Sequence, residues 1–308
     1  MSGVKSENLE RVEQPDANGA AAIDEWTNLT LSAFPVHCLY RTTSLYQRNF
    51  HSHSGFEFYL CIQGSGKYIA GERIHTLGSG SFTVVRPMAM HRSRPDMEVP
   101  FHRYVLAVEK GYLEGLYERD MQIAAWIEQW FPGPGSDSLH VQLNARQLLG
   151  LQETLSQLER EIREQQPGYP LAVKGLLLHM FTQLGRYQTD ISLVQPGSGE
   201  RKRVVENILS YMIEHYQESL RIEDLCGQFH LSRSYLCKIF KQDTGVSVNE
   251  FLIAYRINKA KEYLQGSDLP ITEVAASVGF QDISHFCHTF KRLTDLTPSG
   301  YRNMYLSI

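Results

Sequence analysis

IEDLCGQFHLSRSYLCKIFK, Ile222 to Lys241, and ITEVAASVGFQDISHFCHTFK, Ile271 to Lys291, are one pattern written twice. In the first copy apolar side chains fall at Ile222, Leu225, Phe229, Leu231, Leu236, Ile239 and Phe240, spacings that put them on helical faces. The second repeats them at Ile271, Val274, Val278, Phe280, Ile283, Phe286 and Phe290, and breaks at Gly279 where the first breaks at His230 and Leu231. Leu225 to Val274 is an offset of 49 and Phe240 to Phe290 an offset of 50, so one extra residue sits in the second turn. Two helices crossing steeply about a tight turn make a helix-turn-helix, whose second helix can lie in a major groove.

The outer faces carry the chemistry that such a reader needs. In the first copy Ser232 can cap the second helix, and turning Leu236, Ile239 and Phe240 inward leaves Arg233, Tyr235, Lys238 and Lys241 outside, next to Ser234. In the second copy Asp282 is the cap, flanked by Gln281 and Ser284. Phe286, Phe290 and Leu293 turn inward, and His285, His288, Lys291 and Arg292 share the outer side. Donors on these faces suit phosphates and base edges. Between the copies VSVNEFLIAYRINKAKEYLQG predicts a helix from Val248 to Gln265, striped by Ile253, Ile257, Ala260 and Leu264 and ended by Gly266 and Pro270. It spans roughly 27 Å at about 1.5 Å per residue, of the order of the ~34 Å between successive major-groove faces. One copy alone reads equally well as an αα-hairpin with a solvated charged face, but two in register favour sequence-specific binding of double-stranded DNA.

Composition bounds the reading without deciding it. The 308 residues suffice for two domains, each with its own core. Net charge is −4, but from Arg201 onward 13 Lys and Arg meet 12 Asp and Glu, so any basic surface comes from local arrangement. No apolar run is long enough to span a membrane, and the polar N-terminus has no apolar signal core, so a cytoplasmic protein without a membrane partner is expected. The five cysteines are scattered and form no CxxC pair, as in reduced thiols.

Upstream, residues 1–25 are polar and aperiodic, an expected mobile arm, and 26–193 form the first domain. FEFYLCI, KYIA, SFTVV and RYVLAV, separated by Gly-containing turns, predict short strands of an antiparallel barrel or sandwich between Trp26 and Val108. His51, His53, Glu57, Tyr59, Cys61 and Gln63 share one side of an extended segment, and Phe56, Phe58, Leu60 and Ile62 the other. Further on, Leu148, Leu151, Leu155, Leu158 and Ile162 form a helical seam. It serves either a dimer or packing within the chain, against the barrel or the next helix, Leu171 to Tyr187. VQPGSGE, Val194 to Glu200, marks the linker 194–200 before a domain over 201–308.

The run LSRSYLCKIFKQDTGVSVNEFLIAYRINKAKEYL, followed by ITEVAASVGFQDISHFCHTFKRLTDLTPSGYR, resembles the C-terminal DNA-binding domain of AraC/XylS-type transcription regulators. Ala275, Gly279, Phe280, Phe286, Phe290, Lys291, Thr297-Pro298 and Tyr301-Arg302 carry the most specific part. Cys226 stands where the family usually has Ala, and Asp295 where Gly is usual. Asp tolerates the left-handed backbone that such a helix end needs better than most residues do.

FHSHSGFEFYLCIQGSGKY and LGSGSFTVVRPMAMH resemble, more loosely, the cupin-type barrel that serves many of these regulators as an effector domain. The resemblance implies a multi-domain α+β chain: an N-terminal antiparallel β-barrel with helices, then an all-α domain of two helix-turn-helix units. His53, Glu57 and Gly64 match the first cupin metal motif, with His91 as a later ligand. AraC-type sensors often keep this signature without metal, so no metal or cofactor is assigned, and His51, His53, Glu57 and His91 are read as effector contacts. The pocket of sugar-responsive relatives nominates Gln63, His102 and Tyr104 as well. The implied function is a promoter-binding regulator, not an enzyme, that responds to a small molecule, a sugar or related metabolite. It acts as a homodimer, with RNA polymerase as a partner if it activates. A cupin metalloenzyme built on His51, His53, Glu57 and His91, and a DNA-binding protein whose barrel only dimerises, are the alternatives.

Overall fold

The computed structural model describes residues 27–28, 30–42, 50–118, 120–187, 192–193 and 199–306. The expected arm at 1–25 and most of the expected linker, 194–198, lie outside the described residues.

Among the described residues, nine strands form two antiparallel sheets. A six-stranded sheet runs in the order β1 (Val36–Arg41), β7 (His102–Glu109), β2 (Gly55–Gln63), β5 (Ser81–Val85), β8 (Ser138–Gln142) and β9 (Ser192–Leu193). A three-stranded sheet orders β4 (Arg73–Leu77), β3 (Gly66–Ala70) and β6 (His91–Pro95). The four segments read as strands from their apolar pattern are β2, β3, β5 and β7. The strands without that pattern include VHCLYR, RIHTL, HRSRP and SLHVQ, whose alternate positions carry His, Arg or Ser.

The two faces of each sheet explain that composition. One face of the large sheet, with Phe56, Phe58, Leu60, Phe82, Val84, Leu106 and Val108, packs under helices α3 (Ala145–Glu164) and α4 (Tyr169–Tyr187). The other face, with Tyr59, Cys61 and Val85, meets Tyr68, Ala70 and Leu77 of the small sheet in an inner layer. Two short helices, α1 (Lys110–Glu114) and α2 (Met121–Glu128), precede β8. The Leu148 to Ile162 seam is spent inside the chain. Leu151, Leu155 and Leu158 are buried in the core formed with the large sheet and α4, and Leu148 and Ile162 pack at its rim. This is the intramolecular reading of the two left open above.

The outer face of the small sheet is covered rather than solvated. It supplies Ile69 and Ile74, joined by Phe50 and Met90, to a core shared with the second domain. Helix α5 (Glu200–Glu214), of which Glu200 is already the first residue, lies on β4, and Glu206 accepts the Ile74 backbone N–H at 2.9 Å. The first domain and the first helix-turn-helix unit therefore share one core, where separate cores were expected.

Helices α6 (Ile222–Phe229) and α7 (Arg233–Thr244) form the first unit, and α9 (Ile271–Ser277) and α10 (Ile283–Thr294) the second. Helix α8 (Val248–Gly266) joins them and α11 (Pro298–Leu306) closes the domain. Along α8, Phe251, Leu252 and Tyr255 enter the core of the first unit, and Ile257, Ala260 and Leu264 that of the second. The spacing helix is thus a spine with one half in each unit. Ile253 leaves the expected stripe and faces the space between the domains.

Candidate functional site

The two second helices begin and end alike. Ser232 Oγ accepts the Tyr235 N–H at 3.3 Å, and Asp282 Oδ1 accepts the His285 N–H at 2.6 Å, which satisfies one orphan donor of each first turn. Near their ends Thr244 Oγ1 donates to the Phe240 carbonyl at 2.7 Å and Thr294 Oγ1 to the Phe290 carbonyl at 2.8 Å. Gly245 (φ 80°) stops the first, and Asp295 (φ 59°) stops the second in the left-handed conformation expected of it. At the second turn Gly279 has φ 88°, and a Cβ there would lie 2.8 Å from the carbonyl oxygens of Tyr216 and Gln217. Only glycine fits.

With Leu236, Ile239, Phe240, Phe286 and Phe290 buried, the candidate DNA contacts are all exposed: Ser232, Arg233, Ser234, Tyr235, Lys238 and Lys241 in one unit, and Gln281, Asp282, Ser284, His285, His288, Lys291 and Arg292 in the other. Arg233 donates to Glu223 at 2.9 Å, both side chains more than half exposed, a pair that water screens heavily and a phosphate can displace. His285 leans on Phe280, ring centroids 5.4 Å apart.

In the first domain the structure brings His51, His53, Glu57 and His91 together and buries all four. An isolated antiparallel bridge sets His51 opposite His91, with their ring centroids 4.1 Å apart. Glu57 Oε2 lies 3.0 Å from His53 Nε2 and 3.4 Å from His91 Nε2, and Oε1 accepts the Tyr68 hydroxyl at 2.5 Å. Burial pushes the Glu57 carboxyl up, but His91 and His53 beside it hold it well below the usual carboxylate range. Burial, reinforced by His91, holds His51 well below its usual value.

The ring tautomers follow from the backbone. His53 Nδ1 donates to the Gly55 carbonyl at 3.1 Å and His91 Nδ1 to the Ala89 carbonyl at 2.9 Å, and a carbonyl oxygen only accepts. Both Nε2 atoms thus turn toward an ionised carboxylate oxygen, an arrangement that needs a proton or a cation between nitrogen and oxygen. His51 Nδ1 is buried without a hydrogen-bond partner. Imidazole rings anchored through Nδ1 to carbonyl groups, with a carboxylate among them, are a donor set that fits a divalent metal ion.

Gln63, His102 and Tyr104 do not join this cluster. Tyr104 packs with Tyr40 in the helix-side core, ring centroids 4.9 Å apart, and the Tyr40 hydroxyl bonds His102 Nδ1 at 2.8 Å. His102 and Tyr104 share the parity of Leu106 and Val108, so they face the helices. Gln63, past a register shift after Cys61, is exposed.

The contacts that join the domains were not found in the sequence. Ser52, between the two histidines of the cluster, donates to Asn258 Oδ1 on the spacing helix, and Asn258 Nδ2 donates to the Met88 carbonyl at 2.8 Å. Asp243, 2% exposed at the end of α7, takes Lys67 and Arg201, the latter at 3.1 Å. Arg94 Nη1 donates to the carbonyls of Gln242 and Asp243, and Arg92 Nη1 to that of Thr244 at 3.2 Å. These cations meet the negative end of the helix dipole. The available signal was the alternation in HRSRP: His91 and Ser93 face inward, so Arg92 and Arg94 must face a partner.

Comparison with known proteins agrees with this division. A family model described as an AraC-like ligand binding domain matches residues 34–181, and one described as a helix-turn-helix domain matches 225–304. The chain is 34% identical over 157 residues to YijO of Escherichia coli K12, an uncharacterised HTH-type transcriptional regulator, covering 51% of this chain and 53% of that one. It is 26% identical over 260 residues to the transcriptional activator RhaS of Pectobacterium carotovorum, covering 83% and 88%. A sheet-rich ligand-binding domain joined to paired helix-turn-helix units, each matched by its own family model, makes this chain a member of the AraC family of transcription regulators.

Proposed function

We propose that this regulator binds promoter DNA as a homodimer through both exposed helix faces, and that a small metabolite, a sugar or related compound, changes how the DNA-binding domain docks on the sensor. RNA polymerase is the further partner if the output is activation, and the cytoplasm is the working compartment. One observation carries the switch. Ser52 sits between His51 and His53 and is bonded to Asn258 of the spacing helix, so whatever the cluster holds is one residue from the element that sets the spacing of both units. A ligand shifts such an equilibrium only by its difference in affinity between the two arrangements. Fluorescence anisotropy with DNA from the chain's own upstream region, with and without a panel of sugars and sugar acids, tests this. A DNA affinity that no ligand changes, in parent and Asn258→Ala alike, sinks the switch.

The tautomers at Glu57 favour a second reading of the same cluster, in which a divalent cation is held there. His51, His91 and Glu57 would be its ligands, and it would supply a fixed positive charge that neutralises Glu57. Metal analysis after chelator-free purification, and the shift in melting temperature on chelation, check this. Protein that is metal-free and does not respond to added Zn²⁺, Mn²⁺ or Ni²⁺ excludes it.

A further inference from the structure

Each helix-turn-helix unit has its own core, and α8 enters both. Long helices curve rather than hold one line, so a shared helix alone leaves the angle between the units soft. A contact away from the helix axis is needed to fix it. The turn at 215–218, which follows α5, makes that contact. Its Tyr216 packs against the cores of both units. Arg256, midway along α8, grips the same turn: Nε donates to the Tyr216 carbonyl at 2.7 Å and Nη2 to the Glu218 carbonyl at 2.6 Å. The guanidinium also lies over the Phe280 ring, 6.0 Å from its centroid. Phe280 in turn meets the start of the second recognition helix, its ring centroid 5.4 Å from that of His285 and 5.2 Å from that of Phe286. Gly279 closes on the turn as well, so near that a Cβ would lie 2.8 Å from the Tyr216 and Gln217 carbonyl oxygens.

A guanidinium holds its donors in a rigid planar fork. Two carbonyls of one turn therefore fix the plane of Arg256, and its position over Phe280 ties that plane to the second unit. We propose that Arg256 is a positioning residue: it clamps the 215–218 turn to the second unit, fixes the angle between the two recognition helices, and so sets the half-site spacing that one chain reads. The spacing consequence rests on the reading that both helix faces bind DNA. The clamp itself does not. At ~10–10.5 base pairs per turn, each added base pair rotates one half-site by ~35° about the duplex axis and moves it ~3.4 Å along it. A rigid pair of readers tolerates neither, whereas a loosened pair follows both.

Two measurements on the full chain test this, with Arg256→Ala and with Phe280→Leu, which keeps apolar bulk but removes the ring. The first needs no DNA. Residual dipolar couplings of the backbone amides in α6 and α7, and in α9 and α10, should fit one alignment tensor in the parent. In each variant the couplings within a unit should still fit together, while the second unit's alignment shrinks by a fifth or more relative to the first. A single shared tensor in both variants, or loss of the fit within the second unit, overturns the clamp. The second measurement selects binding sites from random DNA and then inserts one base pair between the two motifs. The parent should select both motifs at one spacing and lose tenfold or more in affinity on insertion. The variants should select the same motifs over several spacings and lose less than threefold. A uniform loss of affinity at every spacing would make Arg256 a phosphate contact and overturn the proposal, as would a spacing preference as sharp as the parent's in both variants. If the parent selects a single motif, the two-face reading and the spacing consequence fall together, and the couplings still decide the clamp.

Discussion

Replacing Asn258 by Ala removes a side chain that bonds the sensor at two points. Asn258 is 5% exposed, accepts from Ser52 and donates to the Met88 carbonyl at 2.8 Å. Each such bond contributes a net ~0.5–1.5 kcal/mol, and a buried partner left unsatisfied costs ~1–3 kcal/mol. Ser52, 2% exposed, is one such partner. Loss of both bonds therefore weakens docking by about 2–3 kcal/mol, roughly 30–150-fold in the equilibrium between docked and undocked domains. The structure provides its own reporter, since the Ile74 amide donates across the boundary to Glu206 at 2.9 Å. Hydrogen exchange at Ile74 should accelerate by that factor in the variant. Exchange at Val84, in a central strand of the large sheet, should change far less, because it opens only with the sensor itself. Equal acceleration at both amides would mean that Asn258 supports the whole fold. Unchanged exchange at Ile74 would mean that the two bonds do not hold the domains together.

Other expectations follow from single sites. Gly279→Ala places a methyl 2.8 Å from two carbonyl oxygens at positive φ and should lower the melting temperature sharply. Asp295→Gly relieves a left-handed residue and should stabilise by about 0.5–1 kcal/mol, less than the ~1–2 kcal/mol of an ordinary residue because Asp visits this region more readily. Burial, helped by Lys202, lowers His140 to about 4. Between pH 6.5 and about 4 the unfolded chain therefore binds the extra proton, and stability falls with pH by ~1.4 kcal/mol per unit, roughly 3 kcal/mol in all. Urea midpoints at pH 7.5 and 5 should differ less in His140→Gln than in the parent. Lys238→Ala should weaken every DNA site alike and reduce the salt slope by about one, and His285→Ala should relax preference at one base position. Anisotropy at several salt concentrations separates the two.

The DNA-reading half was legible because its rules are local. Apolar spacing of three and four, a Ser or Asp before each second helix and a Gly in the turn specify helices and caps within a few residues of themselves. The structure returns them at Ser232, Asp282, Gly279 and even Asp295. The sensor was half legible. Its apolar strands and the convergence of His51, His53, Glu57 and His91 follow from alternation and motif. Tyr104 and His102 were read as pocket residues, although strand parity places them with Leu106 under the helices. Their polar ends bond other side chains there, so the residue type alone carried no sign of which face it served.

Sequence by itself determined the repeat, its exposed donors, the cap chemistry and the family, since each depends on residues close in the chain. Only the tertiary structure decided that the leucine seam of α3 is spent inside the chain and that Arg92 and Arg94 grip the end of the first recognition helix. It alone brought Ser52 to Asn258 across 206 positions. Those outcomes depend on which face of one element meets which face of another. A charged residue satisfied by a distant partner looks, in sequence, the same as one satisfied by water.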